Sequence, residues 1–330
     1  MNAKPKKRIA IVDCGSPPHA AQALLNLINE DYDIEITDDF NADYVIHSCM
    51  GYKVLKYPGI RIYVCGECVS PNFNTSDYAA AFDRMIYGDR NHWFPLIKLY
   101  VDAYAALKNP RPPADEIINQ KSDFCAYVMS NTKNSSDERV KIFDLLNAYK
   151  TVSSGGKWRN NVGGPVANKL EFQIKHKFAI AFENNSHPGY LTEKFAEAAQ
   201  AGAIPIYWGD PEIGNYFNSK AFINCHDYPS LDAAVARVIE IDQDETLYRT
   251  MLNEPWFKCK LEPNELQTKV IQKFLINIFN QPKEAAYRRN RSRWGIKYER
   301  ELKNALFHPV INLLRQVKKS KINLVRNKTS

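Results

Sequence analysis

Residues 178–209 constrain the fold more than any other stretch of the chain. The apolar run at 178–182 is typical of a buried strand, and a polar cluster and a Pro/Gly turn follow it. A helical pattern then begins after Thr192 and stops at Gly202, where a second apolar run starts. This order predicts a strand–helix–strand unit with parallel strands. In sheets built from such units, ligands bind beyond the carboxyl ends of the strands, and a free helix N-terminus attracts phosphate.

Strands and helices alternate in two series on either side of a proline-rich interruption. The first series begins with the strand pattern at 8–13, and the second begins with the strand pattern at 124–128. Between them, the prolines at 110–113 cannot continue a helix or a central strand, so they indicate a linker. The spacing predicts an α/β protein of two lobes with parallel sheets, divided into residues 1–115 and 116–282.

Residues 283–330 form a third, basic region. It contains fourteen Lys and Arg but only three Asp and Glu, in a chain whose net charge is +7. Apolar residues from Leu302 to Val317 fall near one face of a predicted helix, as they do in helices that lie on anionic membranes. Two hypotheses follow for this basic C-terminal helical tail: attachment to an anionic membrane surface, or docking on the body of the protein.

The sequence gives no sign of a membrane span or a leader. No apolar run approaches the ~18 residues that a spanning helix requires, and the run at 9–12 is too short for a signal-peptide core. The seven cysteines are odd in number and scattered, as in a reducing compartment. Cys65 and Cys68 form a CxxC, which without a second such motif we interpret as a chance pairing. We expect a cytoplasmic protein, either free or peripheral on the inner face of the cytoplasmic membrane.

Three motifs resemble the α1,3/4-fucosyltransferase family, in the family's order. They are FENNSHPGYLTEK (182–194) followed by AIPIYWG (203–209), GE (66–67) followed by PNFN (71–74), and VGGP (162–165). The resemblance covers residues 60–260 and implies a GT-B fold of two Rossmann-like lobes. It further implies that residues 1–115 bind the acceptor and that residues 116–282 bind GDP-fucose.

The resemblance also implies an activity. Members of this family transfer L-fucose from GDP-β-L-fucose, with inversion, to O3 or O4 of GlcNAc in lactosamine-type glycans, and bacterial members modify lipopolysaccharide. Two alternatives stay open: a GT-B transferase that uses another nucleotide sugar, and a non-catalytic protein that binds a nucleotide or a glycan. No nucleic-acid partner is expected.

Two carboxylates are the candidate catalytic groups. Glu67 follows the strand pattern at 60–65, so we expect it at the carboxyl end of a strand, and it matches the family's proposed catalytic glutamate. A carboxylate there would take the proton of the acceptor hydroxyl, as a carboxylate base does in inverting glycosidases. Glu193 is expected either to accept hydrogen bonds from a sugar or, as a first-turn acid after the N-cap Thr192, to interact favourably with the helix dipole.

Lys194 and Arg139 are the predicted contacts to the diphosphate of the donor. A cation in the first turn of a helix opposes the helix dipole, so Lys194 is interpreted as the partner of a bound anion. The family has an arginine at the position of Arg139 that contacts phosphate, and a guanidinium can bind phosphate through two hydrogen bonds. The alternative for Arg139 is a surface ion pair with Asp137 or Glu138. The remaining candidate donor-binding residues are Ser130, Asn131, Val162, Gly163, Gly164, Asn184, Tyr190 and Thr192.

No metal site is predicted. Asp242-Gln243-Asp244 has the DxD pattern of metal-dependent glycosyltransferases, but it follows a helix and lies far from the motifs in sequence. We interpret it as a solvated turn. Because Lys194 and Arg139 would supply positive charge to the diphosphate, we expect the transfer to need no divalent metal and no other cofactor.

Overall fold

The structure, a computed structural model, describes residues 3–130, 136–289 and 292–309. The chain divides into two compact units, each with its own sheet. The first unit comprises the chain up to residue 80, residues 86–92 and the chain from residue 272 onward. The second unit comprises residues 81–85 and 93–271.

The first unit has a six-stranded sheet in the order β2-β1-β3-β4-β5-β6. Its strands are β1 (Lys6–Val12), β2 (Asp33–Ile36), β3 (Tyr44–His47), β4 (Ile60–Val64), β5 (Tyr78–Ala81) and β6 (Asn91–Trp93). β1 pairs in parallel with β2 and β3, β3 pairs in parallel with β4, and β4 pairs in parallel with β5. Helix α1 (His19–Asn26) connects β1 to β2. The strand patterns at 8–13 and 60–65 therefore correspond to β1 and β4.

The second unit has a five-stranded parallel sheet in the order β11-β10-β9-β7-β8. Its strands are β7 (Asp123–Tyr127), β8 (Val152–Ser154), β9 (His176–Phe182), β10 (Ile204–Trp208) and β11 (Ile223–Asn224). Its helices are α2 (Val101–Lys108), α3 (Ala114–Ile118), α4 (Glu138–Tyr149), α5 (Lys169–Ile174), α6 (Glu193–Gln200), α7 (Leu231–Gln243) and α8 (Glu245–Asn253). The predicted strand–helix–strand unit is β9, α6 and β10. Two α/β lobes with parallel sheets are confirmed.

The sequence of β9 explains how helices cover both faces of this second sheet. Large side chains from Phe178 to Phe182 alternate with Ala179 and Ala181, and alternate residues of a strand point to opposite faces. The large side chains pack with α4, α7 and α8. The alanines share the other face with Phe195 of α6, which is fully buried. Burying such a side chain contributes about 1.5–3 kcal/mol, so this packing fixes α6 against the sheet.

The compact units do not follow the predicted division at residue 115. The proline-rich stretch 110–113 joins α2 to α3, and both helices belong to the second unit. The guanidinium of Arg111 lies over the ring of Trp256 at 4.0 Å and donates to the carbonyl oxygen of Met251 at 3.0 Å. These contacts make the prolines part of a packed turn inside one unit, so the predicted linker is wrong.

The prediction that residues 283–330 form a separate third part is also wrong where the structure describes them. Residues 283–289 and 292–309 belong to the first unit. Two helices lie in the described part of this region, α10 (Lys283–Ala286) and α11 (Arg293–Phe307), and α9 (Thr268–Asn280) precedes them. Leu302 and Leu306 of α11 pack against the apolar cluster around β1 and β3. In the described part of the chain, no helix combines the length and the apolar character that crossing a bilayer demands.

Buried ion pairs strengthen this docking. Arg61 on β4 is 1% exposed, and its guanidinium donates to Glu299 of α11 at 2.9 Å. Asp77 is fully buried, accepts the backbone N–H of Arg289 at 2.9 Å and pairs with the guanidinium of the same residue. A buried charge without its partner is costly, so the first unit depends on this segment. The docking hypothesis therefore holds up to residue 309, and the rest of the predicted tail lies outside the described residues.

Candidate functional site

A buried carboxylate organises the loop that joins β9 to α6. Glu183 directly follows β9, and its side chain is fully buried. Its Oε1 accepts the N–H of Thr192 at 2.7 Å, and its Oε2 accepts the Thr192 hydroxyl at 2.5 Å and the Lys194 ammonium at 3.0 Å. Thr192 occupies the N-cap position of α6, so Glu183 lies at the positive end of the helix dipole. A side chain of the protein thus binds at the helix N-terminus where an external anion was predicted.

Lys194 is paired within the protein. Its ammonium lies 3.0 Å from Glu183 Oε2, 3.0 Å from Glu193 Oε1 and 2.9 Å from the Thr192 hydroxyl oxygen. Burial would lower the pKa of Lys194, but the two carboxylates raise it well above its ordinary value, so the side chain stays charged. The argument that only an external anion explains this lysine is therefore wrong. Because an ammonium has three N–H donors, a phosphate oxygen must replace one of these three partners.

The two carboxylates beside Lys194 differ in their acidity. Burial raises the pKa of Glu183, although the Lys194 ammonium opposes the rise. Burial would also raise the pKa of Glu193, but Lys194 and then Lys169 lower it to about 2. A carboxylate this acidic is a weak base near neutral pH. Glu193 is therefore suited to accept a hydrogen bond from a sugar hydroxyl and poorly suited to remove a proton from it.

Thr192 is the N-cap residue of α6, as predicted, but its hydroxyl does not cap the helix. The side chain accepts no backbone N–H of the first turn of α6 and donates to Glu183 instead. The carboxylate of Glu183 accepts both the hydroxyl and the backbone N–H of Thr192, so it does part of the work of a capping side chain.

Arg139 is held by the residue that follows Glu183. It lies in the first turn of α4, is 5% exposed, and its Nη1 donates to Asn184 Oδ1 at 2.9 Å. Its Nε is buried and has no hydrogen-bond partner among the described residues. The alternative of a surface pair with Asp137 or Glu138 is therefore wrong. Burial raises the pKa of the Tyr127 phenol, and Arg139 and then Lys194 oppose the rise, so both cations lie near this side chain.

In the loop at Val162–Pro165, both glycines have positive φ angles, which other residues rarely adopt. Gly163 and Gly164 have φ values of +86° and +137°, and a Cβ at either would meet no atom within 4 Å. Backbone conformation, and not close approach of another chain segment, is therefore the reason for glycine here. Val162 is 39% exposed, and the Ser130 hydroxyl accepts the N–H of Lys157 at 3.3 Å. Asn131 lies outside the described residues.

Tyr190 is buried, which differs from its predicted role. Its ring is 1% exposed and packs edge-on against Phe82 at 5.3 Å between centroids. Gly189 precedes it with a φ of +88°, and a Cβ at that position would lie 2.2 Å from the carbonyl oxygen of Phe82. The ring of Tyr190 therefore anchors the loop in the core of the second unit, and its burial does not support a donor contact through the phenol.

Arg84 fastens the same loop, and sequence reasoning missed it. Its Nη2 lies 2.7 Å from Oδ2 of the fully buried Asp210, and its guanidinium lies over the ring of Trp93 at 4.4 Å. The indole of Trp93 in turn donates to the carbonyl oxygen of Gly189 at 3.2 Å. The sequence signal that could have pointed to this contact is Asp210, an acidic residue just after the end of β10. Glu183, just after the end of β9, is a signal of the same kind.

The close approach at Gly189 predicts that substitution there will destabilise the loop between β9 and α6. Gly189→Ala should lose about 1–2 kcal/mol through its left-handed backbone and roughly 1–3 kcal/mol more through the clash with Phe82. Gly88→Ala is the matched control, because Gly88 has a φ of +56° and open space around its Cβ position. Denaturant unfolding should show a larger loss of stability for Gly189→Ala than for Gly88→Ala. Equal effects of the two substitutions would contradict this assignment.

Glu67 lies in the first unit, in the turn after β4, as predicted. It is exposed, its backbone N–H donates to Cys65 Sγ at 3.3 Å, and its carbonyl oxygen accepts the N–H of Val69 at 2.8 Å. The hydroxyl of Tyr63 on β4 donates to the Val69 carbonyl oxygen at 2.7 Å, which ties the turn to the strand. The structure therefore provides an accessible carboxylate on a fixed turn at the carboxyl end of a parallel strand.

The DxD residues have separate structural roles. Asp242 lies in α7, its side chain is 4% exposed, and it pairs with Lys177, so it is not the solvated residue that was expected. Asp244 caps α8 by accepting the N–H of Thr246 at 2.8 Å. Over residues 3–130, 136–289 and 292–309, no group of three or more His, Cys, Asp or Glu side chains is arranged to hold a metal ion.

Comparison with known proteins identifies both parts of the chain. The model of the alpha-(1,3)-fucosyltransferase FucT N-terminal domain matches residues 9–100. The model of the glycosyltransferase family 10 (fucosyltransferase) C-terminal domain matches residues 118–277. The Helicobacter pylori alpha-(1,3)-fucosyltransferase FucT is 33% identical over 263 residues, which cover 69% of this chain and 55% of that protein. The chain thus spans about half the length of that relative.

More distant relatives and solved structures agree. Human 3-galactosyl-N-acetylglucosaminide 4-alpha-L-fucosyltransferase FUT3 is 33% identical over 141 residues, which cover 42% of this chain and 37% of that protein. A crystal structure of an α1,3-fucosyltransferase with GDP-fucose superposes with a TM-score of 0.73 at 28% identity, over 85% of this chain and 92% of that one. The expected GT-B fold is therefore confirmed, and the chain belongs to glycosyltransferase family 10, the fucosyltransferases.

Proposed function

We propose that this protein is an inverting fucosyltransferase that transfers L-fucose from GDP-β-L-fucose to O3 or O4 of GlcNAc in a lactosamine-type glycan. The observation that carries the proposal is the pair of cations Arg139 and Lys194, held by Asn184 and Glu183 at the carboxyl end of β9. The solved structure of an α1,3-fucosyltransferase with GDP-fucose supports the donor. The names of the relatives leave both linkages in the proposal, since they describe α1,3 transfer in H. pylori and α1,4 transfer in human FUT3.

Arg139 and Lys194 would bind the diphosphate and stabilise the charge that develops on GDP as it leaves. Within the described part of the chain, the buried Nε of Arg139 has no hydrogen-bond partner, whereas the ammonium of Lys194 has three. A phosphate oxygen would replace Glu193 or the Thr192 hydroxyl as a partner of Lys194. Glu193 would then be released to accept a hydrogen bond from a hydroxyl of ribose or fucose.

Glu67 would act as the base. As the bond between fucose C1 and the phosphate oxygen breaks, the acceptor hydroxyl oxygen bonds to C1 from the opposite face, and its proton passes to the carboxylate. The low pKa of Glu193 argues against that residue as the base and leaves Glu67 as the better candidate.

The proposal is tested by incubating the protein with GDP-fucose and type 1 or type 2 lactosamine acceptors, with the linkage of the product read by NMR. Parallel thermal-shift measurements with GDP, UDP and CMP address the alternative of another nucleotide sugar. A second arm contains EDTA, and we propose that activity survives it because side chains carry the charge of the diphosphate. Nucleotide binding without transfer to either acceptor would instead support a non-catalytic binding protein.

Loss of either cation should weaken GDP binding. Lys194→Ala and Arg139→Ala each remove a charge-assisted contact worth roughly 1.5–3 kcal/mol, or about 10- to 150-fold in the dissociation constant. Isothermal titration calorimetry with GDP gives the comparison. Lys177→Ala is the control, because Lys177 pairs with Asp242 and has no part in the proposed donor site.

Lys194 also neutralises Glu183, so its substitution needs a second variant. In the double variant Lys194→Ala/Glu183→Gln no unpaired buried carboxylate is left, and we expect folding stability to recover. GDP affinity should stay low in the double variant if Lys194 binds phosphate directly. Recovery of both stability and GDP affinity would show that Lys194 only balances the charge of Glu183.

We also propose that residues beyond 309 bind an anionic membrane surface, since this stretch contains six Lys and Arg and no Asp or Glu. Each such cation near an anionic surface contributes about 1 kcal/mol. Removing residues 310–330 should reduce sedimentation with anionic liposomes while leaving transfer activity unchanged. Salt should weaken the binding of the full chain, because it screens the attraction. Equal binding to neutral liposomes would contradict the proposal.

A further inference from the structure

Two thiols meet beside the turn that carries Glu67. Cys49 follows β3 and Cys65 follows β4, and their sulfur atoms lie 3.3 Å apart. Among the described residues, which include all seven cysteines, no disulfide is formed. The sequence drew attention to Cys65 and Cys68, because they form a CxxC, but the fold brings Cys65 to Cys49 from the neighbouring strand.

The strand register explains this meeting. His47 of β3 and Tyr63 of β4 are register partners in the parallel sheet. Cys49 lies two residues after His47, and Cys65 lies two residues after Tyr63. Neighbouring strands lie about 4.8 Å apart, which is within the ~4.4–6.8 Å between Cα atoms that a disulfide spans. Cys49 is exposed and Cys65 is 1% exposed, so one thiol is open to a reagent and the other is sheltered behind it.

We propose that Cys49 and Cys65 form a modification site, at which a low-molecular-weight disulfide oxidises the pair to an intramolecular disulfide that lowers the activity. The Cys49 thiolate attacks the reagent disulfide, which gives a mixed disulfide and releases one reagent thiolate. The Cys65 thiolate then attacks the Cys49 sulfur and releases the second reagent thiolate. Two protein thiols are oxidised, one reagent disulfide is reduced to two thiols, and no further reactant is needed.

The effect on activity rests on the proposed role of Glu67. The N–H of Glu67 donates to Cys65 Sγ, so drawing this sulfur toward Cys49 moves the backbone that positions the carboxylate. Displacing a catalytic group by about 1 Å can cost 10²-fold in rate. Although Cys49 is exposed as a residue, its thiol is partly desolvated, and this, followed by the neighbouring Cys65, raises its pKa to about 12. The thiolate is therefore scarce near neutral pH, and oxidation should speed up as the pH rises.

The experiment treats the full-length protein with oxidised glutathione, as the probe, over a range of pH. In the wild type we expect intact mass to fall by the mass of two hydrogens and peptide mapping to join Cys49 to Cys65. We expect turnover to fall by roughly 10- to 100-fold and to return on reduction. Cys49→Ser should stay active and resist this loss, whereas Cys259→Ser, which removes an exposed thiol elsewhere, should respond as the wild type does.

Three results would overturn the inference. One is a glutathione adduct on Cys49 without the internal bond, and another is a bond that joins Cys65 to a different cysteine. The third is a Cys49–Cys65 bond that forms while turnover stays unchanged. These results are separate from failure of the proposed function, because mass and peptide mapping report the bond even in a preparation that transfers no fucose.

Discussion

Turnover of the Glu67→Gln variant is expected to fall by about 10²- to 10⁴-fold, the usual contribution of a positioned base, with GDP affinity unchanged. Glutamine keeps the size of the side chain, and Glu67 is exposed in its turn, so no loss of stability accompanies the change. Single-turnover assays with saturating GDP-fucose separate the chemical step from binding.

The control for this prediction is Glu193→Gln. Glu193 is ionised at neutral pH and pairs with Lys194, so its substitution should raise the Michaelis constant for GDP-fucose more than it lowers the rate at saturation. If Glu67→Gln keeps near-normal turnover and Glu193→Gln does not, the base must be reassigned despite the low pKa of Glu193.

Ending the chain at Gln281 is expected to unfold the first unit. The truncation removes Glu299 from the buried Arg61 and Arg289 from the buried Asp77. Breaking a buried pair by removing one partner costs about 3–5 kcal/mol, and whole domains are stable by only about 5–15 kcal/mol. The truncated protein should therefore lose the cooperative unfolding of the first unit in calorimetry, or accumulate as aggregate.

A point substitution isolates the same effect in the full-length chain. Glu299→Gln should lower the free energy of unfolding by several kcal/mol, whereas Glu301→Gln should change it little. The difference is exposure, because the Glu299 side chain is 8% exposed and pairs with Arg61, while Glu301 is 64% exposed and lies 3.7 Å from Lys297. Similar unfolding midpoints for both variants would show that the buried pair contributes little.

The same pair predicts sensitivity to acid. Burial would raise the pKa of Glu299, but the Arg61 guanidinium and then Lys303 lower it below its ordinary value. A carboxyl whose folded pKa is depressed stabilises the fold fully above its unfolded pKa of about 4.3, and this contribution is lost as the pH falls through the folded value. Glu299→Gln should therefore flatten the acid limb of the wild-type stability profile.

Local sequence signals predicted the elements of the second sheet because β9 and α6 have strong apolar periods and a clear glycine stop. They could not predict the partners of Lys194 or Arg139, because Glu183 and Asn184 reach these cations only through the turn of the loop. The meeting of Cys49 and Cys65 could not be predicted for the same reason. The two residues are 16 positions apart in sequence and become neighbours only when β3 and β4 pair. The described part of the basic tail was predicted to be a separate region because composition counts exposed and buried charges alike. Arg289, for example, is 2% exposed and pairs with Asp77 inside the first unit.

The chain order of the two units has a consequence for synthesis. The second unit lies between segments of the first, so the ribosome completes residues 93–271 before it makes the segment from residue 272 that the first sheet requires. Domains generally fold as units during synthesis, so the second unit can mature while β1 to β5 still lack Arg289 and Glu299. During that interval Arg61 and Asp77 lack the ion-pair partners Glu299 and Arg289. The segment that follows the second unit in the chain therefore decides whether the segment that precedes it acquires its native fold.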